Sequence, residues 1–222
     1  MSAEQPTSSI YTPQLWSWDC GVACCLMLLK TQGLWSHPLS ASLYAMVPSH
    51  SLWTIDLCAM LRTLGVSGVA LHTQQAGVNP SFNALPYYEA SLSTEAGRIT
   101  SAFSAAASSG IAVHAPSSLT AEYLTTHLQA RSRLFIVLVD ARLLACESCQ
   151  PQPPQTVEGA SYQGHYLFLT GYDPATDLVS YYNPSPKANP LGCSVKLHTL
   201  EAARRAHGTD EDVLEVAVAE QG

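Results

Sequence analysis

Positive charge is scarce in this chain. Lys and Arg together number 10 against 17 Asp and Glu, which leaves a net charge of −7 over 222 residues. A surface so poor in cations speaks against nucleic acid or anionic lipid as a partner. No apolar run approaches the ~20 residues of a membrane span. No glycine-rich phosphate loop is present. The first ten residues, "MSAEQPTSSI", lack a basic segment followed by an apolar one, so they are not read as a secretory signal. Apolar residues are not scarce, at 47% against 12% charged, which describes a globular chain. The length suits one domain with a sizeable core.

The seven cysteines are Cys20, Cys24, Cys25, Cys58, Cys146, Cys149 and Cys193. An odd count and several cysteines within apolar runs favour reduced thiols and a cytoplasmic or nuclear location. Cys24, Cys25 and Cys58 read as small buried hydrophobes. Cys146 and Cys149 form a single C-x-x-C in a Pro/Gln loop, "CESCQPQPPQTVEGA". Zinc needs two more ligands, for which Cys193 with His198 or Cys58 would be the candidates, and a lone C-x-x-C in a Pro-rich loop is weak evidence for it. The expectation is therefore no metal, no cofactor, and a surface thiol pair reactive toward oxidants.

Residues 1–10 read as a flexible tail and 11–222 as a single domain. From Gly21 a helix is expected, with Val22, Cys25, Leu26 and Leu29 at helical spacing and Gly33 as its stop. It is apolar on nearly all sides, so it should be central. Further helices are expected in "LWTIDLCAMLRTLG", "TEAGRITSAFSAAASSG" and "SLTAEYLTTHLQA". Strands are expected in "RLFIVLVD", "HYLFLTGY", "DLVSYYN" and "DVLEVAVA". Helices early and strands late indicate an α+β fold, with a mainly helical lobe over about 11–130 packed on a mainly antiparallel-sheet lobe over about 131–222.

"GHYLFLTGYDPATDLVSYYNP" reads as a hairpin that turns at "DPAT". A turn centred between Pro174 and Ala175 makes paired residue numbers sum to about 349 and sets His165 opposite Asn183 or Pro184. Taken alone, His165 is a strand-end surface residue and Asn183 a turn residue before proline. His72, His114 and His127 read as satisfied strand or helix residues. The pair Tyr87–Tyr88 and the tryptophans Trp16, Trp18 and Trp53 read as core or cleft wall.

Cys20 at the mouth of the buried helix changes the weight of that hairpin. A free thiol with a pKa near ~8.5 is a weak nucleophile at neutral pH. A helix N-terminus, with roughly half a unit of positive charge, and a nearby imidazolium can lower that pKa. Cys20, His165 and Asn183 are then nucleophile, base and orienter. Gly21 would let a substrate backbone approach, and Asp19 would serve as a cap or local hydrogen-bond partner. Gln14, six residues upstream, could supply a side-chain donor to an oxyanion beside the Cys20 N–H.

The pattern Q-x-x-x-x-D-C-G-x-A-C-x-x-M, from Gln14 to Met27, resembles the active-site segment of the papain-like peptidase domains of bacteriocin-exporting transporters. The resemblance implies a papain-like fold and Cys20 as nucleophile. Those domains usually pair His with Asp, where this chain has Asn183, as papain does. A closer resemblance covers almost the whole chain. "LWSWDCGVAC", "LWTIDL", "YQGHYLFLTGYD", "YYNP" and "GTDEDVL" together resemble the eukaryotic guanylyl cyclase domain-containing family. That name implies conversion of GTP to cyclic GMP, which needs cations and metal-binding carboxylates around a triphosphate. Asp210, Glu211 and Asp212 are the nearest approach to such a set, and a solvated loop explains them equally well. Three functions follow: a cysteine peptidase or amidase acting on a peptide or amide substrate in a cleft between lobes, a guanylyl cyclase, and a papain-fold binding module without turnover. The substrate and the oligomeric state are not legible from these residues.

Overall fold

The computed structural model describes residues 9–47, 49–89, 92–149 and 162–218. Residues 1–8 of the expected tail and 150–161 of the Pro/Gln loop lie outside the described residues.

Seven helices are described: α1 (Cys20–Thr31), α2 (His37–Ala45), α3 (Thr54–Thr63), α4 (Pro86–Glu89), α5 (Leu92–Ala105), α6 (Ala121–Ala130) and α7 (Leu197–Arg204). The strands are β1 (Val69–His72), β2 (Ala112–His114), β3 (Arg133–Asp140), β4 (Gly164–Asp173), β5 (Leu178–Tyr182), β6 (Cys193–Lys196) and β7 (Val213–Ala217). They form one sheet in the order β2-β1-β7-β3-β4-β5-β6. Among the described residues only the β1–β2 pair is parallel.

The central strands carry long apolar runs because both of their faces are covered, with Glu215 of β7 as a buried exception. Ile136 and Leu138 of β3, Tyr166 and Phe168 of β4, and Leu214 and Val216 of β7 pack on α1 and α3. Their neighbours Phe135, Val137, Val139, Leu167, Leu169 and Val213 pack against Leu124 and Leu128 of α6 and Leu200 and Ala203 of α7. A third, aromatic cluster of Phe82, Tyr88 and Tyr162 lies beside Trp53.

Residues up to 130 are mainly helical and those after it mainly strand, but one sheet draws on both halves: β1 and β2 come from the first, and α7 packs from the second. β1 has four residues and β2 three, too few for an alternating pattern to stand out. The hairpin register differs from the one expected. Phe168 pairs with Tyr182 and Leu169 with Tyr181, whereas Tyr172 pairs with Val179 and Asp173 with Leu178. The turn spans Pro174 to Asp177, with Asp177 left-handed at φ 54°. The Asp173 carboxylate accepts from the Ala175 N–H and the Thr176 hydroxyl, which holds this longer loop. A bulge between Leu169 and Gly171 then moves the register back by one residue toward His165.

Gly21 also has a different role from the one expected. A Cβ there would lie 2.8 Å from Leu57 Cδ1 and 3.1 Å from Tyr166 Cδ2. The glycine lets the head of α1 seat against α3 and β4, and the space beside it belongs to the core rather than to a substrate.

Candidate active site

Cys20 is the first residue of α1 and is 8% exposed. No side chain caps this helix and its first turn holds no acid, so its N–H groups remain available to an anion. Asp19 is completely buried but faces upstream. Its carboxylate accepts from the Leu15 N–H at 3.0 Å, the Trp16 N–H at 2.9 Å and the Tyr44 hydroxyl at 2.8 Å. It therefore ties down the loop before Cys20 and leaves the helix head open.

Asn183 Oδ1 accepts the Ser185 backbone N–H at 2.9 Å. That donor fixes which amide atom is oxygen. The same oxygen lies 2.8 Å from His165 Nε2, so Nε2 must carry a proton. Nδ1 is then the ring nitrogen left for Cys20, whose thiol is within hydrogen-bonding reach of the imidazole. In the neutral ring Nδ1 is an acceptor, suited to take the thiol proton.

The electrostatics agree with that transfer. Burial pushes the Cys20 thiol up, but the hydrogen bond and charge of His165, with the backbone N–H groups of Tyr166 and Gly21, outweigh it and hold the thiol below its ordinary value. Burial pulls His165 down, but Cys20 and then Asn183 lift it above the ordinary imidazole value. Cys24 and Cys25, one turn along the same helix, are pushed up by burial. What separates Cys20 from its neighbours is its partner, since all three are buried.

Gln14 is brought alongside by the chain itself. Its backbone N–H donates to the Pro184 carbonyl at 2.8 Å, and the Tyr11 hydroxyl donates to the Ser185 carbonyl at 3.1 Å. The segment before Cys20 is thus strapped along the residues after Asn183. The Gln14 side-chain nitrogen is engaged elsewhere, donating to the Trp16 carbonyl at 2.7 Å. Its Oε1 is buried without a partner.

Cys20 opens into a cavity of about 300 Å³ walled by Trp18, Trp53, Tyr87 and Tyr88, with Thr54, Tyr166, Asp210 and Asp212 also lining it. Trp16 stacks on Trp18 with ring centroids 5.6 Å apart, and Trp18 on His50 at 4.7 Å. Apart from the exposed Trp16, these aromatic rings are cleft wall. His72 Nε2 lies 2.8 Å from the Glu215 carboxylate, His114 stacks on His72, and His127 Nδ1 lies 2.7 Å from the Ser132 hydroxyl. His127 is partnered as the sequence suggested, whereas His72 is satisfied at Nε2 alone, its Nδ1 being buried without a partner.

The acidic cluster is where sequence reasoning fell short. Asp210 and Asp212 line the cavity with Cys20 and are not wholly a solvated loop. Two consecutive left-handed non-glycine residues, Asp210 at φ 48° and Glu211 at φ 54°, turn this segment. Such backbone costs about 1 kcal/mol or more per residue and persists where surrounding contacts hold it. Here Asn79 donates to Asp210 at 2.6 Å and Thr54 to Asp212 at 2.5 Å, while Ser118 bonds Glu211. Burial pushes Asp212 up to about 7 and Asp210 up to about 6. The one signal available in the sequence was "GTDEDVL", polar residues directly before an apolar strand.

A raised carboxyl favours folding while protonated and loses that advantage as pH rises from the unfolded value of ~3.9 toward the folded one. Asp212→Asn should therefore stabilise the protein near pH 8 by about 1–3 kcal/mol. The gain should vanish below about pH 4, where the carboxyl is protonated in both states. Urea unfolding across that range measures it.

A family profile described as guanylylate cyclase matches residues 10–216. Guanylyl cyclase 1 of Arabidopsis thaliana is 30% identical to this chain over 203 residues, which are 90% of this chain and 72% of that protein.

Proposed function

We propose that this chain, which belongs to the guanylylate cyclase family, is a cysteine hydrolase that attacks a peptide or amide carbonyl through Cys20. One observation carries this reading: His165, with Nε2 anchored on Asn183 Oδ1 at 2.8 Å, is the partner that holds the buried Cys20 thiol below its ordinary value. A nucleophile at the head of a central helix, with base and orienter on the adjoining sheet, also supports a papain-like fold.

In this mechanism the proton of Cys20 passes to His165 Nδ1. The thiolate then bonds to the carbonyl carbon, and the carbonyl π pair moves onto oxygen. Helix-head N–H groups stabilise that oxyanion, joined by Gln14 once its amide leaves the Trp16 carbonyl. The oxyanion collapses as the C–N bond breaks, and the imidazolium gives its proton to the leaving amine. Water then attacks the thioester with His165 as base, which releases a carboxylate and restores the thiol. Asn183 keeps the ring in one tautomer throughout.

Asp210 and Asp212 suggest a substrate with an ammonium or guanidinium beside the scissile carbonyl. Their raised values give a direction. As pH falls through about 7 and then about 6 these carboxylates are protonated. KM for a cationic amide should therefore rise over that interval, while KM for a neutral amide should not. Fluorogenic amides with and without the cation, assayed at several pH values, test this.

Guanylyl cyclisation is the second reading, favoured by the name of the family and of the plant relative. It requires attack of the ribose 3′-hydroxyl on the α-phosphorus with pyrophosphate leaving, assisted by divalent metal and cationic side chains. Among the described residues lining the cavity, Asp210 and Asp212 are the two carboxylates and there is no Lys or Arg. That donor set does not fit a metal-bound triphosphate. Cyclic GMP formed from GTP at equal rates by the native protein and by Cys20→Ala would favour this reading over thiol chemistry.

A further inference from the structure

Away from the cavity, at the opposite edge of the sheet from β2, the fold brings three thiols together. Cys193 is the first residue of the edge strand β6 and is 3% exposed. Cys146 and Cys149 approach it from the segment after β3. The three sulfur atoms all lie within 4.8 Å of one another, and Cys149 Sγ is 3.5 Å from Cys193 Sγ. The single C-x-x-C of the sequence thus gains Cys193 as a third member.

The surroundings are built for anionic sulfur. The Cys149 N–H donates to Cys146 Sγ at 3.2 Å, and the Ser148 N–H points to the same sulfur. The Asn189 N–H serves Cys149. Tyr181, opposite Cys193 in the sheet and 1% exposed, has a hydroxyl without a properly formed partner that points toward Cys146. N–H groups aimed at sulfur are the usual outer support of thiolate ligands.

The backbone is fastened on both sides of the cluster. The Glu147 N–H donates to the Ser194 carbonyl at 2.8 Å, and the Ser148 and Ser194 hydroxyls are 2.5 Å apart. Gly192, with φ 120°, donates to the Asn189 carbonyl and sets the approach of Cys193.

We infer that Cys146, Cys149 and Cys193 form a three-thiolate site for a thiophilic divalent cation, Zn²⁺ by ligand softness. Zn–S bonds of about 2.3 Å place tetrahedral sulfur atoms about 3.8 Å apart, a spacing these thiols reach with small shifts. Each thiol gives its proton to solvent as its S–Zn bond forms, and solvent takes the fourth position. A disulfide can join only two of the three, and the N–H donors would then face a neutral sulfur. The site ties the segment after β3 to β6. Through the Cys193–Tyr181 pair it also supports the strand that leads to Asn183.

Anaerobic Co²⁺ titration of metal-stripped, fully reduced full-length protein tests the assignment. Saturation is expected at one Co²⁺ per chain, with a thiolate-to-cobalt charge-transfer band and tetrahedral visible bands that Zn²⁺ abolishes. Cys193→Ser or Cys149→Ser should cut the charge-transfer intensity by about one third and weaken binding at least tenfold. Cys20→Ala should bind Co²⁺ as the native chain does, which keeps this result separate from the fate of the hydrolase reading. No charge-transfer band in the native protein, or a band that both serine variants leave intact, would overturn the site.

Discussion

His165→Ala should move the alkylation midpoint of Cys20 from below the free-thiol value of about 8.5 to above it. The direction of the overshoot follows from the environment. Burial is the largest influence on this thiol and acts upward; His165 is the principal group that reverses it. Removing the imidazole leaves burial opposed only by the Tyr166 and Gly21 N–H groups. Below both midpoints the thiolate fraction falls about tenfold for each unit of upward shift. A more basic thiolate is also a better nucleophile, with a Brønsted slope of about 0.4–0.5, which recovers part of the loss. The net rate of iodoacetamide reaction at pH 7 should still drop about tenfold or more. Asn183→Ala should give a smaller change of the same sign, because Asn183 acts on His165 and not on sulfur. Mass spectrometry of the Cys20 peptide over a pH series measures both midpoints.

Gln14→Ala should behave in the opposite way. The alkylation midpoint should stay where it is, because the Gln14 amide donates to the Trp16 carbonyl and not to the thiol. Turnover of a cleavable amide should fall by roughly a hundred- to a thousandfold, the range for loss of one oxyanion donor. Gln14→Glu keeps the side-chain length but replaces the donor by an anion, so it should be at least as inactive. A Gln14→Ala enzyme with native turnover would mean that the Trp16 contact is the whole role of this side chain. The helix-head N–H groups would then hold the oxyanion alone.

The sequence was most legible where one physical pattern ran long enough. The uninterrupted apolar run of α1 and the octet of β3 announce elements buried on all sides, and both form where expected. Cys20, His165 and Asn183 could be named because a helix start and a hairpin are local features. The register arithmetic was off, since the Asp173 contacts lengthen the turn and a bulge then compensates. His165 nevertheless meets the Asn183 amide, because a side chain can reach across the remaining offset. Short strands such as β2 were not legible, because their place depends on partners far away in the chain. Asp212 was misjudged for the same reason. Its environment is made by Thr54 and Thr73, more than a hundred residues upstream. The thiol cluster likewise depends on β6 pairing with β5, which no spacing in the sequence encodes.

The most direct test is where a peptide-like electrophile reacts. The native protein should be treated at pH 7 with one equivalent of a peptidyl vinyl sulfone and analysed by intact mass and peptide mapping, with GTP turnover measured in parallel. A single adduct on Cys20 is expected, absent from Cys20→Ala and formed more slowly by His165→Ala. Adducts on Cys146 or Cys149 with Cys20 unmodified, together with cyclic GMP formed undiminished by Cys20→Ala, would contradict thiol catalysis at this site.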